Sequence, residues 1–246
     1  MGRMEATEST QNSAANTKGR EHPLMHTGLE AVRILNELGF ETVNGPELES
    51  EFFNFDALNV PKDHPARDMQ DTFHIKGKAG FVMRTHNTNS SIRSITKARE
   101  EGRLPCAFVS FGKVFRNEAT DATHETQFYQ IDGIMIGKDI TLAHLKGTLD
   151  HFMKKFFGEG AEVRLRPSFF PFVEPGCEVD VKVGDKWLEV LGAGMVHPKV
   201  LEAAGIDPKE WQGFAFGMGA DRLMKIRYGM PDIRPAYHGD LRFNQI

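Results

Sequence analysis

The stretch GKVFRNEATDATHETQFYQIDG, Gly112 to Gly133, is the part of the chain on which the fold turns. An apolar run meets Arg116 and then a polar turn, and a second apolar run, Phe128 to Ile136, follows it. Short apolar runs flanking a turn-forming segment read as paired strands. A second signature stands near the C-terminus. There GFAFGMGADRLMKIRYG, Gly213 to Gly229, reads as a glycine-rich turn before a helical run with Arg222 in its first turn. A planar, permanently charged guanidinium forms bidentate bonds to phosphate, and a turn without side chains lets backbone amides approach a ligand closely. Taken singly, an arginine after a strand is commonly a solvated surface residue and Gly-x-Gly is commonly only a turn. Two arginines and a glycine turn together suit a polyphosphate.

Outward from these, the periodicities predict an α+β chain. Leu24, Leu29, Val32, Leu35 and Leu38 recur at helical spacing from His22 to Leu38, and Gly39 sits where such a helix ends. Thr42 to Leu48 reads as an extended segment broken by Pro46, followed by extended segments at Phe81 to Arg84, Cys106 to Phe111, Val114 to Asn117 and Phe128 to Ile136. Leu142, Leu145, Leu149, Phe152 and Phe156 mark a helix over 141–157 whose stripe is core. Val163 to Arg166, Glu178 to Val183 and Trp187 to Leu191 read as further strands, with Gly184 and Asp185 as a hairpin turn. Helices are expected from Pro198 and from Gly219. Residues 1–21 are rich in Ser, Thr, Asn and Gln, cannot offset ordering entropy by burial, and are expected to be a flexible tail before one domain, 22–246.

The 246 residues suit one large domain or two small ones, enough to bury roughly 70 to 75% of the unfolded surface. A net charge of −4 gives the whole molecule no pull toward nucleic acid, so any RNA contact has to come from local patches or a partner. Cys106 and Cys177 are the two cysteines, with no CxxC, which fits a reducing compartment better than a disulfide scaffold or a zinc site; the expected location is cytoplasmic. No apolar run approaches the roughly 18 residues of a membrane span, and no secretory signal pattern opens the chain.

The order of segments resembles the catalytic core of the phenylalanyl-tRNA synthetase alpha subunit, a class II aminoacyl-tRNA synthetase. The similarity runs from His22 to Phe243 through GFETVNGPELESEFFNFDALNVPKDHPARDMQDTF (Gly39 to Phe73), RTHNTNSSIR (Arg84 to Arg93), the Arg116 stretch, FFPFVEPGCEVDV (Phe169 to Val181), WLEVLGAGMVHP (Trp187 to Pro198) and GFAFGMGADRL (Gly213 to Leu223). It implies a class II core, an antiparallel β-sheet flanked by helices. It implies ATP and magnesium as cofactors, and activation of L-phenylalanine followed by transfer to tRNA(Phe). It also implies a beta-subunit partner, two alpha with two beta, with the first helix and strand at a subunit interface; that helix packed on its own domain is the simpler alternative.

Activation is an in-line attack of a carboxylate on the alpha phosphate of ATP, which needs alignment and charge neutralisation rather than a protein nucleophile. The resemblance assigns Arg116 to the alpha phosphate, Arg222 to the nucleotide and Phe128 to the face of adenine. Glu118 and His124, in the turn between the paired strands, and Glu189 belong with ATP, and Glu174 is a magnesium ligand shared with the partner subunit. Phe170, Phe172 and Val173 would hold the aromatic side chain; read alone, the two phenylalanines are ordinary core. Ala215 would close the pocket near the para carbon, with Gly217 beside it. His86, Thr88, Ser91, Gln130 and Asp132 match the polar rim around the amino acid's charged end. Many bacterial relatives have Ser and Gln where this chain has Thr88 and Ser91, and Glu where it has Asp132; all three remain hydrogen-bond formers, the aspartate with a shorter reach.

The resemblance leaves two expectations about extent: the short tail stands where bacterial alpha subunits carry a helical arm to the tRNA, and the end at LRFNQI leaves out an anticodon-binding module. No segment resembles a hydrolytic editing centre. Two other readings remain at this point, a non-catalytic paralogue acting as a binding or regulatory module and a free-standing amino-acid:AMP ligase with a non-tRNA acceptor.

Overall fold

The computed structural model describes residues 19–67, 72–117, 121 and 125–245. Glu118 and His124 and most of the expected tail lie outside the described residues. The first helix, α1 (Pro23–Glu37), starts where the Nδ1 of His22 accepts from the Leu24 amide at 3.2 Å and Pro23 supplies a pre-set φ. Its apolar stripe, Leu24, Ala31, Val32, Ile34 and Leu35, is spent on the main core of the same domain, and Leu29, 48% exposed, is the large apolar side chain it leaves in solvent. That stripe is therefore internal, and the expected subunit contact falls to the helix's exposed face.

The segment expected as one strand after α1 is two. β1 (Glu41–Thr42) pairs in parallel with β4 (Cys106–Phe115), whereas β2 (Leu48–Ser50) pairs antiparallel with β3 (Phe81–Met83) in a separate two-stranded sheet. Between β2 and β3 lie α2 (Glu51–Asn54) and a 3-10 turn, Asp56–Leu58. The helix α3 (Thr88–Glu100) has no strong apolar signal in the sequence: Ile92, Ile95 and Ala98 are buried, but so are Thr88, Asn89, Ser90 and Ser91. β4 runs unbroken through the two pieces expected separately, because Gly112 and Lys113 stay in register opposite Gln130 and Tyr129 of β5 (Gln127–Gly137).

The rest of the chain is α4 (Leu142–Phe157), β6 (Val163–Phe170), β7 (Val173–Val183), β8 (Lys186–Val196), α5 (Pro198–Ala203), β9 (Gln212–Gly219) and α6 (Ala220–Arg227). Gly184 takes φ 60° in the two-residue β7–β8 turn, a left-handed angle that favours glycine. The seven-stranded sheet has the order β1-β4-β5-β9-β8-β7-β6, antiparallel except at β1–β4.

Alternation along the strands gives the sheet two unlike faces. One carries Val109, Ile131, Phe214, Phe216 and Met218 against Leu35 of α1, Leu145, Leu149 and Phe152 of α4 and Leu223 of α6. Each fully buried side chain of that size contributes about 1.5–3 kcal/mol relative to exposure. On the other face Phe108, Ile134, Ile136 and Ala215 meet Ile92 and Ile95 of α3 and Val200 and Leu201 of α5. These two helices cover part of that face, and a cleft opens on the remainder.

Candidate active site

Close approach decides what can line the cleft. A Cβ added at Gly217 would stand 3.1 Å from Gln130 Nε2 and 3.2 Å from Asp132 Oδ2, and one at Gly192 would stand 2.8 Å from the ring of Phe170. With no side chain at either position, polar tips and a ring from neighbouring strands converge over the sheet. The result is a cavity of about 280 Å³ bounded by His86, Thr88, Arg116, Gln130, Asp132, Phe170, Phe172, Val173, Ala215 and Gly217. Ligand pockets run from about 300 to 1,000 Å³, so this one suits a single small molecule.

Its polar end is a hydroxyl-bound carboxyl. Thr88 Oγ1 donates to Asp132 Oδ2 at 2.8 Å and Ser91 Oγ donates to Oδ1 at 2.5 Å. Ser91 does not line the cavity; it stands behind Asp132 and holds it. Burial pushes the Asp132 carboxyl up to about 7, against the opposing pull of the two hydroxyls. His86 moves the other way, down to about 4, through burial and then the charge of Arg116, so it is neutral at pH 7. Its Nε2 donates to the carbonyl of Asn54 at 3.0 Å, which leaves Nδ1 as a buried acceptor with no hydrogen-bond partner among the described residues. Asn54, absent from the sequence-derived set, secures this corner by donating to Thr85 Oγ1 at 3.1 Å and accepting from the Thr85 amide at 3.2 Å.

The raised Asp132 gives a signed pH dependence. Unfolded, the carboxyl titrates near 4; folded, it holds its proton to about 7. Between these values the folded state binds more protons, so Asp132 makes stability fall as pH rises from about 4 to 7, with no further change above. His86 opposes it over part of that range, so the measurement is a difference. The denaturation midpoint of Asp132→Asn minus that of the parent should grow from pH 4 to pH 7 and then level off; a flat difference would disprove the buried ionisation.

The apolar wall is a turn between β6 and β7. The rings of Phe170 and Phe172 lie 6.0 Å apart at 24°, and Phe172 faces His86 at 6.4 Å. Asn59, left-handed at φ 57°, donates through Nδ2 to the carbonyl of Pro171 at 2.7 Å and pins the turn.

A second cavity of about 310 Å³ adjoins the first and shares Arg116, Gln130, Phe170 and Gly192 with it. Arg116 lies over the ring of Phe128 at 5.0 Å and donates from Nε to the Thr85 carbonyl at 3.2 Å. At the other end Arg222, on the first turn of α6, faces Glu189 at 3.9 Å. Gly213–Gly219 is not the phosphate-cradling turn expected from sequence. It is β9, its backbone engaged with β5 and β8 on both sides, so the groups offered to a polyphosphate are the side chains of Arg116 and Arg222.

Glu178 and Asp221 are part of this cleft and were not among the sequence-derived candidates. Asp221 accepts from the Tyr129 amide at 3.0 Å and from the Tyr237 hydroxyl, tying α6 to β5, and burial raises its carboxyl. Glu174 lines neither cavity; its side chain is 76% exposed and lies 3.4 Å from His197. Among the described residues no cluster of three His, Cys, Asp or Glu is disposed to hold a metal. Glu178 and Glu189 nevertheless both border the second cavity, and one or two carboxylates together with substrate phosphates are the usual shell of a magnesium ion.

The chain matches the family model for the class II tRNA synthetase core domain (F) over residues 7–246. It is 48% identical over 239 residues to the proteins named phenylalanine–tRNA ligase alpha subunit from Bacillus mycoides (strain KBAB4), Bacillus cytotoxicus and Bacillus cereus (strain B4264), covering 92% of this chain and 68% of each relative. The chain belongs to the class II tRNA synthetases, in the family of these alpha subunits. In this synthetase the seven-stranded sheet flanked by helices is the class II core, and the paired cavities lie on its open face. No helix among its described residues is long and apolar enough to cross a membrane.

Proposed function

We propose that the chain is the catalytic alpha subunit of a phenylalanine–tRNA ligase, which joins L-phenylalanine to AMP with release of pyrophosphate and then transfers the acyl group to tRNA(Phe). The observation that carries this reading is that two cavities, one partly aromatic and one edged by arginine and carboxylate, meet at Arg116. The phenyl group of the substrate packs beside Phe170, Phe172 and Val173, with Ala215 at the closed end. Its ammonium group is held at Asp132, Thr88 and the orphaned Nδ1 of His86. Gln130 lies at the junction and orients the carboxylate toward Arg116.

In the second cavity adenine lies against Phe128, and Arg222 takes the far phosphates. Arg116 then faces the alpha phosphate, where charge builds up as the substrate carboxylate attacks and pyrophosphate departs. Glu178 and Glu189 would hold magnesium, whose part is to neutralise the phosphates. Glu174, exposed and outside this cleft, is proposed on the family resemblance alone as a ligand to a metal shared with a beta subunit. The relatives' designation as alpha subunits supports that partner, and an assembly of two alpha with two beta chains in the cytoplasm is part of the proposal. Glu118 and His124 are proposed ATP contacts by resemblance.

The test is phenylalanine-dependent exchange of pyrophosphate into ATP, with and without a co-expressed beta subunit. Exchange specific to phenylalanine is expected, and exchange with another amino acid or none would refute the reading. In the same assay Ala215→Gly should admit para-chlorophenylalanine. A pocket enlarged by one methyl-sized volume shifts selectivity by about 10- to 200-fold, and unchanged selectivity would remove Ala215 from the substrate's path.

A further inference from the structure

Arg166 on β6 makes more carboxylate contacts than any ordinary strand arginine requires. Its Nε donates to Asp180 Oδ2 at 2.8 Å, and its Nη2 donates to Asp180 Oδ1 at 3.0 Å, lies 2.9 Å from Glu178 Oε2 and lies 3.3 Å from Glu189 Oε2. Asp180 is buried and already bound by Arg164, at 3.0 and 2.6 Å, so it needs no further cation. Glu178 and Glu189 are different. They are the carboxylates that border the cleft, and besides Arg166 they have Ser168, donating to Glu178 at 3.0 Å, and Arg222, 3.9 Å from Glu189. One guanidinium thus bridges a structural aspartate and the two carboxylates assigned above to magnesium.

We propose that Arg166 is a positioning residue that acts as the built-in counter-ion of Glu178 and Glu189 and competes for them with the magnesium carried by the nucleotide. The idea rests on the ATP-activating reading of the cleft. A guanidinium and a divalent cation cannot both take the same carboxylate lone pairs at full strength, so binding of the ion is linked to loosening of Arg166 from Glu178 and Glu189. Asp180 retains the arginine during this exchange, because its two bonds lie outside the contested pair. Two consequences follow from the charge. With Arg166 present, the pair repels metal-free nucleotide less; without it, the pair attracts magnesium more strongly.

The experiment is calorimetric titration of a non-hydrolysable ATP analogue into the full chain, with any partner subunit retained, at magnesium concentrations from chelator upward. For Arg166→Gln the half-saturating magnesium should fall at least fivefold and metal-free binding of the analogue should weaken at least fivefold, the low end of typical coupling between linked ligands. Arg164→Gln is the control: it loses contacts to Asp180 and to the ring of Trp187 but touches neither Glu178 nor Glu189. It should leave the magnesium dependence as in the parent.

Arg166→Lys, keeping the charge without the fork, should return it to within about twofold of the parent. Equal shifts in the Arg166 and Arg164 variants would mean that both act by loosening Asp180, and would overturn the proposal; so would an unchanged dependence in R166Q. Should R166Q fail to fold, Glu178→Gln carries the test, since losing one contested ligand should raise half-saturating magnesium at least fivefold, and no change would overturn the idea. A parent that binds no analogue at any magnesium concentration would instead refute the ATP-activating reading itself.

Discussion

Arg116→Ala should slow phenylalanyl-adenylate formation by on the order of 10²- to 10³-fold, the loss seen when one preorganised donor is taken from a developing oxyanion. Among the described residues Arg116 is the one charged side chain that borders both cavities, so its removal strikes the point where the two substrates would react. The fold should survive. The residue is half-buried and borders the two cavities, and neither core cluster includes it. The variant has an internal check as well: losing the positive charge next to His86 removes one of the causes that hold that imidazole down, so His86 should titrate above about 4. Arg116→Lys, which keeps the charge without the planar fork, should fall between parent and alanine. Exchange of pyrophosphate by folded Arg116→Ala at close to the parent rate would show that the alpha phosphate lies elsewhere.

The legibility of the sequence followed its periodicities. α1 and α4 were readable because their apolar residues recur every three or four positions and bury one stripe. α3 was not, because its buried face is largely Thr88, Asn89, Ser90 and Ser91, polar groups satisfied by Asp132, Asn54 and Asn87 rather than by an apolar core. A pattern of apolar spacing cannot report a helix whose buried side makes hydrogen bonds. The same limit misassigned Gly213–Gly219: three glycines in seven residues look like a turn, but here they thin a central strand so that Gln130 and Asp132 can reach over it.

At the site, the resemblance brought forward nine residues that border the smaller cavity besides Arg116, while Ser91 proved to be the support of one of them. Glu178 was overlooked although it lies inside a quoted motif. Its alternation with Asp180 along β7, on the face that carries Arg164 and Arg166, was the available signal, and it became meaningful only when β8 placed Glu189 beside them.

The other large effect lies at Phe216 of β9, whose ring belongs to the main core although the residue also borders the smaller cavity. Phe216→Ala should destabilise the chain by about 3–5 kcal/mol, against a total stability of about 5–15 kcal/mol for a typical domain. The ring is 2% exposed, packs edge-on to Phe40 at 5.9 Å and stacks with Phe214 at 6.4 Å. It lies across Gly133 of the neighbouring strand, where an added Cβ would collide with it. The core cluster it belongs to also holds Leu35 of α1 and Leu149 and Phe152 of α4. Phe216→Leu, closer in volume, should cost clearly less.

The same strand carries Ala215 and Gly217 to the smaller cavity, one residue to either side of Phe216. Core loss and site loss can therefore be told apart. If Phe216 serves only packing, denaturant unfolding of the alanine variant shifts to a lower midpoint with an unchanged slope, and the folded fraction keeps whatever selectivity between phenylalanine and tyrosine the parent has. If instead β9 depends on that ring for its position, selectivity will relax along with stability. A midpoint within about 1 kcal/mol of the parent would contradict both, since a fully buried phenylalanine removed without repacking leaves a cavity whose cost is larger than that.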